Sequence, residues 1–331
     1  MATSPFIENI RHVLRTKHYS IQTEKTYLTW IKRFILFNQK RHPEEMGEEE
    51  VNRFLSHLAV ERKVTSSTQN LALCAIVFMY KHVLNRELIL LDDAIRAKAP
   101  KRVPVVLSND EAMTLIDFMP GAYRLMFSIL YGCGLRKAEM LRLRIKDIDF
   151  TNQSIFIFRG KGNKDRVTML PQSLVPQLKA QIEKVKHVHQ KDIAEGQGKT
   201  SLPSGLARKY PYAITDLKWQ YLFPSTTRCQ HPTDGYYCRH HLHWSALSKV
   251  LRKAVKQSGI NKHVTAHTFR HSFATQLLLN GSDIRTVQEL LGHTDLKTTQ
   301  IYTHVIGQHS SGTLSPIDRN QLIQDMTNTD S

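Results

Sequence analysis

Ile155-Phe156-Ile157-Phe158-Arg159-Gly160-Lys161-Gly162-Asn163-Lys164-Asp165-Arg166-Val167-Thr168-Met169 is the stretch that sets the fold class. Between Ile148 and Leu170 the hydrophobic pattern switches to a period of two. Ile155 and Ile157, then Val167 and Met169, alternate with other residues, the spacing of strands with one buried face. Gly160-Lys161-Gly162-Asn163 supplies turn chemistry between them, so the segment predicts an antiparallel hairpin carrying Lys161 in its turn. Taken alone, such a lysine reads equally well as a plain exposed tip.

Outward from the hairpin the period is helical. Tyr27, Ile31, Phe34 and Ile35 repeat at helical spacing. So do Val51, Phe54, Leu55, Leu58 and Ala59, behind the acidic run Glu48-Glu49-Glu50 that suits a helix start. A third segment, roughly 66–84, puts Ala72, Ile76, Met79 and Val83 on one face. Such a bundle serves as a packing module or as a DNA-gripping arm. Ala97 to Pro104 contains two prolines and reads as an extended basic linker. Ser108-x-x-Glu111 then opens a new helix as a capping box. Beyond the hairpin a helix is expected around Leu174 to His187. The last hundred residues are helical again, with Gly281 and Gly292 at C′ positions and Ser282 able to cap the next helix. The reading is mainly α with a small antiparallel β-sheet. It has a helical N-terminal domain over 1–95, a linker over 96–107 and an α+β domain over 108–331.

The 331 residues suffice for two domains with full cores, and 41% apolar content is that of a globular chain. Lys and Arg outnumber Asp and Glu 46 to 29, a formal net charge of +17. Such an excess serves solubility or a polyanionic partner, and charge alone does not separate DNA from RNA or membrane. Met1 to Ser20 holds no apolar run of signal-peptide length, and no stretch is long enough to span a bilayer, so a soluble cytoplasmic protein with no membrane partner is expected. Cys74 and Cys133 lie in apolar sequence and are expected as reduced core residues.

Cleaving a phosphodiester without a metal makes definite demands. Negative charge builds on two nonbridging oxygens, which the planar, permanently charged fork of arginine suits. The nucleophile must be held in line, and the leaving oxygen needs a proton. His267 and Arg270 in His267-Thr268-Phe269-Arg270 are three apart on one helix face, with Phe269, Phe273 and Leu277 turned toward a core. By itself that pair is ordinary surface spacing. Arg136 follows the apolar, glycine-rich Tyr131-Gly132-Cys133-Gly134-Leu135, and Glu139 lies at the helical offset to brace it. A plain buried ion pair explains this equally. His293 follows Leu291-Gly292 at a helix end, where a simple cap also serves, and Tyr302 offers a phenol. No metal motif or nucleotide loop accompanies them, and no cofactor is expected.

Taken together, Gly134-Leu135-Arg136-x-x-Glu139, Gly160-Lys161-Gly162-Asn163-Lys164-Asp165-Arg166, His267-x-x-Arg270, Leu290-Leu291-Gly292-His293 and Tyr302 resemble, in order and spacing, the tyrosine recombinase family. The resemblance covers nearly the whole chain. It implies a helical core-binding domain followed by a catalytic domain, and DNA strand transfer through a 3′-phosphotyrosyl link. It further implies that Arg136 and Arg270 hold the scissile phosphate and that Lys161 protonates the leaving 5′ oxygen, with Lys164 a nearby competitor. His267 and His293 would support proton transfer and phosphate binding. Tyr302 would be the nucleophile and Glu139 would position Arg136.

The segment over about 190–245 is more than a simple recombinase needs. Trp219, Tyr221 and Phe223 crowd together there, with Arg208, Lys209 and Lys218 around them. Rings interleaved with cations suit stacking on unpaired bases, although for Tyr221 and Phe223 a hydrophobic staple is the stronger expectation. The segment resembles the insertion of integron integrases. That implies binding of folded single-stranded cassette hairpins through extrahelical bases, with Trp219 as a platform and Pro232, His240 and His241 at a second pocket. Arg208 and Lys209 are further candidate DNA contacts. Cys229-x-His231 and Cys238-x-His240 offer zinc-capable side chains, but their one-residue gaps depart from the usual ligand spacing, so no metal is expected. The tail 307–331 carries a short amphipathic pattern, which the resemblance would dock into a neighbouring protomer of a homo-tetramer. The leading reading is an integron integrase joining cassette hairpins to a duplex attachment site. A phage- or Xer-type recombinase acting on two duplex sites is the alternative. A non-catalytic basic DNA-binding protein explains the charge but not the joint presence of Arg136, Arg270 and Tyr302.

Overall fold

A computed structural model describes residues 4–88, 103–158, 164–231 and 233–303. The chain forms two compact units, Met1–Arg102 and Val103–Ser331.

Among the described residues, the first unit packs four α-helices: α1 (Pro5–Thr16), α2 (Ile21–Phe37), α3 (Glu48–Val60) and α4 (Ser66–His82). Local chemistry sets their starts. Ser20 accepts a hydrogen bond from the Thr23 amide at 3.1 Å, and the Glu50 carboxylate accepts one from the Gly47 amide at 2.8 Å. Ile10, Leu14, Ile31, Phe34, Ile76 and Met79 are fully buried between the helices. Each such side chain contributes roughly 1.5–3 kcal/mol relative to exposure. Cys74 departs from expectation: it is exposed. The buried stripe of α4 runs through Ala72, Leu73, Ala75, Ile76, Phe78 and Met79, and Cys74 falls on the opposite face.

The second unit begins at Val103, inside the 96–107 range expected as linker. Leu107 is fully buried and its amide donates to Ser272 Oγ at 2.8 Å, so these residues pack with the second core. Residues 96–102 lie outside the described residues. Helices α5 (Asn109–Asp117), α6 (Ala122–Gly132) and α7 (Lys137–Arg142) lead into β1 (Ile148–Asp149), β2 (Ser154–Ile157) and β3 (Arg166–Met169). The Ser108–Glu111 capping box is present, with bonds of 2.8 and 3.1 Å. The strands form one antiparallel sheet in the order β1-β2-β3.

The hairpin's register corrects the pattern reading. Ile155 pairs with Thr168 and Phe156 with Val167. Ile155 and Ile157 are buried as read, but Val167 and Met169 are exposed and Thr168 fills the inner position. The Thr168 hydroxyl donates to the Cys133 carbonyl at 2.9 Å, which makes a polar residue acceptable there.

Next come α8 (Val175–Ala194), longer than expected, α9 (Ser204–Lys209), and the short hairpin β4 (Cys229–Gln230) and β5 (Tyr237–Cys238). The helices α10 (Trp244–Ser258), α11 (Ala266–Leu279), α12 (Ile284–Leu291) and α13 (Lys297–Gln300) follow. Asp283, not Ser282, caps α12: its Oδ1 accepts from the Arg285 and Thr286 amides at 2.8 and 3.0 Å. Cys133 is buried, and among the described residues no helix is long and apolar enough to cross a membrane.

Candidate active site

Two glycines let three helix ends converge. Gly134, with φ +63°, ends the turn out of α6, and a Cβ there would lie 2.4 Å from the Phe273 ring of α11. Only glycine allows this approach. It brings the Gly134 carbonyl to Arg270 Nη1 on α11, at 2.6 Å. Gly292, with φ +62°, ends α12 and turns the chain into His293. Arg270 Nη2 donates to the Leu291 carbonyl at 2.6 Å and stands 3.1 Å from His293 Nε2. His293 Nδ1 is 2.9 Å from Thr299 Oγ1, which fixes the ring. Tyr302, just past α13, stacks near it with ring centroids 6.4 Å apart.

Glu139 ties the cations together. Arg136 Nη1 donates to its Oε1 at 2.8 Å, and the Arg136 amide to its Oε2 at 2.8 Å. Arg166, from β3, grips the same carboxylate with two bonds of 2.9 and 2.7 Å and also holds the Leu290 carbonyl at 3.0 Å. Arg270 Nη1 lies 3.9 Å from Glu139 Oε2. Three guanidiniums thus share one carboxylate, leaving an excess of positive charge.

The charges respond accordingly. Burial pushes the Glu139 carboxyl up, but hydrogen bonds from Arg166 and Arg136 outweigh it and hold it down to about 2. Arg270 is 1% exposed. Burial first, then neighbouring Arg136, lower its pKa to about 9, against the pull of Glu139. It is still protonated at neutral pH, yet a buried cation beside other cations favours an incoming anion. Tyr302 is also 1% exposed. Burial raises its phenol while Arg270 and Arg136 oppose that rise.

His267 is exposed at the start of α11, and its ring meets that of His271 edge-on at 4.6 Å. His271 Nδ1 is 3.0 Å from the Tyr302 hydroxyl. The structure therefore brings Arg136, Arg270, Glu139, His293 and Tyr302 together, with His267 adjoining through His271. Lys161, and the tail from 304 on, lie outside the described residues.

The insertion is held by its own contacts. Tyr221 and Phe223 are buried, as staples. The Arg144 guanidinium lies 4.1 Å over the Tyr221 ring and donates to the Trp219 carbonyl. Trp219 is half-buried, with Lys146 Nζ 4.7 Å over its ring. It lines a cavity of about 320 Å³ together with Tyr221, Phe156, Phe158, Arg142 and Arg144. Arg208 and Lys209 are exposed on α9. His240 and His241 are half-buried against Tyr221, at 5.4 and 5.2 Å between rings. His240 Nδ1 lies 2.6 Å from Ser201 Oγ. Burial, then His241, lower the His240 pKa to about 4. Pro232 lies outside the described residues. Cys229 and Cys238 face each other across β4 and β5. Among the described residues no group of His, Cys, Asp and Glu is arranged to hold a metal.

The phage integrase family matches residues 105–309, and the phage integrase N-terminal SAM-like domain matches residues 6–90. The chain belongs to the phage integrase family. This recombinase is 45% identical to an Escherichia coli protein named Integrase/recombinase, over 94% of its own chain and 93% of that one. It is 31% identical to the tyrosine recombinase XerD of Rickettsia prowazekii, over 68% of each chain. Among solved structures, a lambda integrase (75–356) dimer bound to a COC′ core site resembles it with a TM-score of 0.60 at 17% identity, covering 91% of this chain and 95% of that one. The XerH recombinase in a post-cleavage complex gives 0.58 at 20% identity, covering 91% and 81%. At those identities the likeness is one of fold. The chain is thus a site-specific tyrosine recombinase with a helical N-terminal domain and a mixed catalytic one.

Two residues of the recombinase's site went unassigned in the sequence. Arg166 closes the motif that begins at Gly160, and only its spacing to Glu139 in three dimensions reveals the shared carboxylate. His271 sits next to Arg270, but nothing in a linear reading separates it from any helix-borne histidine.

Proposed function

We propose that this recombinase cleaves and rejoins DNA through Tyr302, and that it does so as an integron integrase. The observation that carries the first half is the gathering of a buried phenol, the Arg136 and Arg270 forks and the His293 imidazole around an excess of positive charge. In this reading the two arginines hold the scissile phosphate and stabilise its transition state. Tyr302 attacks phosphorus and keeps the bond energy as a 3′-phosphotyrosine, so rejoining needs no nucleotide cofactor. Lys161 protonates the leaving 5′ oxygen, His267 and His293 assist proton transfer and phosphate binding, and Glu139 positions Arg136.

The integron half is supported by the insertion. Its cavity of about 320 Å³ is walled by Trp219 and Tyr221 and bordered by Arg142 and Arg144, chemistry that suits a base flipped from a folded strand. Arg208, Lys209, Pro232, His240 and His241 are the further contacts of this reading. The recombinase would act in the cytoplasm, as a homo-tetramer on paired sites, integrating and excising gene cassettes. Duplex-only recombination of the phage or Xer type is the second reading, favoured by the match to XerD.

A trap with suicide substrates separates them. Folded bottom strands of cassette sites and the same sequences as duplex are presented in parallel to wild type, Tyr302→Phe and Trp219→Ala. Covalent adducts are expected with wild type and absent with Tyr302→Phe, which still binds. Trp219→Ala is expected to weaken folded-strand binding by roughly 1–3 kcal/mol while sparing duplex binding. Equal affinity for folded strand and duplex in wild type would favour the Xer-type reading. Adducts that persist in Tyr302→Phe would remove the nucleophile.

A further inference from the structure

His271 meets the Tyr302 hydroxyl at the centre of the site, and the proposed mechanism above gives it no task. Its Nδ1 is 3.0 Å from the phenolic oxygen, within hydrogen-bond reach of the proton that an attacking phenol must lose. The two rings lie 5.5 Å apart on adjoining elements, α11 and the turn after α13. Tyr302 is almost fully buried, so bulk water is poorly placed to take that proton. His267, the other imidazole on this helix, is exposed and meets the His271 ring edge-on, with centroids 4.6 Å apart. Burial, then His267 and Arg270, keep His271 neutral by lowering its pKa to about 4. A neutral imidazole protonated at Nε2 presents a lone pair at Nδ1 to the phenol.

We propose that His271 is the proton acceptor for Tyr302. The assignment rests on Tyr302 being the nucleophile. As the phenolic oxygen bonds to phosphorus, its O–H bond breaks, the electron pair stays on oxygen, and the proton moves to His271 Nδ1. The P–O5′ bond breaks, and that oxygen takes a proton from the general acid. His271 leaves the step as an imidazolium, with the negative phosphate beside it as a counter-charge. On rejoining, the 5′ hydroxyl attacks phosphorus and gives its proton back to the deprotonated general acid, the bond between phosphorus and the phenolic oxygen breaks, and His271 returns its proton to that oxygen. Burial is the larger cause of its low basicity; the smaller share, from neighbouring positive charge, is offset once Arg136 and Arg270 hold a phosphate. The assignment lets His267 serve the phosphate.

The experiment measures single-turnover adduct formation by the full-length protein on a suicide substrate that wild type cleaves. Variants are His271→Ala, His271→Asn and Tyr302→Phe, each checked by thermal melting. His271→Ala is expected to slow adduct formation about 100-fold or more, and added imidazole, filling the vacated space, is expected to restore part of the rate. His271→Asn offers an amide oxygen where Nδ1 stood but cannot carry a proton. It is expected to stay slow, with no response to imidazole. A His271→Asn rate equal to wild type overturns the proposal, because a hydrogen bond alone would then suffice. So does a His271→Ala rate that is unchanged, or one that is slow and deaf to imidazole. Tyr302→Phe reports separately: adducts that persist there refute the nucleophile itself, whereas their loss together with a normal His271→Asn rate refutes only the acceptor.

Discussion

Two acidic residues in the second unit each gather arginines, and they do so to different ends. Glu139 is shared by Arg136, Arg166 and Arg270. Asp192, on α8, is shared by Arg239 and Arg228, and Arg228 also pairs with Glu195 at 2.8 Å. Around Asp192 the charges balance. Arg239 spends its remaining donor on the Ser225 and Thr226 carbonyls at 2.8 and 2.9 Å, so the cluster is complete and pins the insertion to α8. Around Glu139 the cations outnumber the carboxylate, and among the described residues only Nη1 of the Arg136 guanidinium has a hydrogen-bond partner. The Asp192 cluster is scaffold. The Glu139 cluster keeps two positive charges in excess, three guanidiniums against one carboxylate, which is the condition a phosphate suits.

The largest test of that contrast is Glu139→Gln. Removing the one carboxylate leaves buried guanidiniums facing each other, and a loss of about 3–5 kcal/mol in chemical denaturation is expected, together with loss of adduct formation. A loss below about 1 kcal/mol would mean that the arginines do not depend on Glu139. Asp192→Asn should cost less, about 2 kcal/mol, because Arg239 keeps its backbone acceptors and Arg228 keeps Glu195. Cleavage by the folded fraction should match wild type, and a large catalytic defect would erase the distinction between the clusters. Gly292→Ala forces a left-handed backbone and sets a Cβ 2.7 Å from Arg166 Cδ. About 1–3 kcal/mol of destabilisation is expected. Arg166→Lys, which replaces a fork by a point charge, should cost about 1 kcal/mol and slow cleavage modestly through Glu139.

Acid tests the two carboxylates directly. Glu139 is held down from 4.5 to about 2, so its contribution is fully present above the ordinary carboxylate value and is lost as pH falls toward 2. Asp192 is also lowered, first by its hydrogen bonds with Arg239. Both carboxylates therefore stabilise the fold at neutral pH. In denaturation series between pH 5 and 2, Glu139→Gln should flatten the decline relative to wild type. An unchanged slope would show that Glu139 does not titrate with the fold.

Much of this was readable in the chain. The helical periods of the first unit, the Ser108 cap, the Gly292 turn and the antiparallel pairing of β2 with β3 all express local rules: side-chain period, capping oxygen, positive φ. The errors were failures of facing. Cys74 sits in apolar sequence but on the wrong side of α4. Val167 and Met169 alternate correctly, yet the register set by β2 turns Thr168 inward. Asp283 replaced Ser282 as a cap because a carboxylate one residue nearer the helix reaches its first amides.

The site divides in the same way. By itself the sequence determined the inventory of forks, imidazoles and a phenol, and the motif spacing that marked the family, because both are properties of residue type and order. Only the tertiary structure decided that Arg166 joins Glu139, that Arg270 is buried against two carbonyls, and that His271 reaches Tyr302. Those contacts link α7, β3, α11, α12 and the turn after α13, and no local rule carries a distance across that many elements. Packing set them, through two glycines that allow helix ends to approach and one carboxylate that holds mutually repelling cations in place.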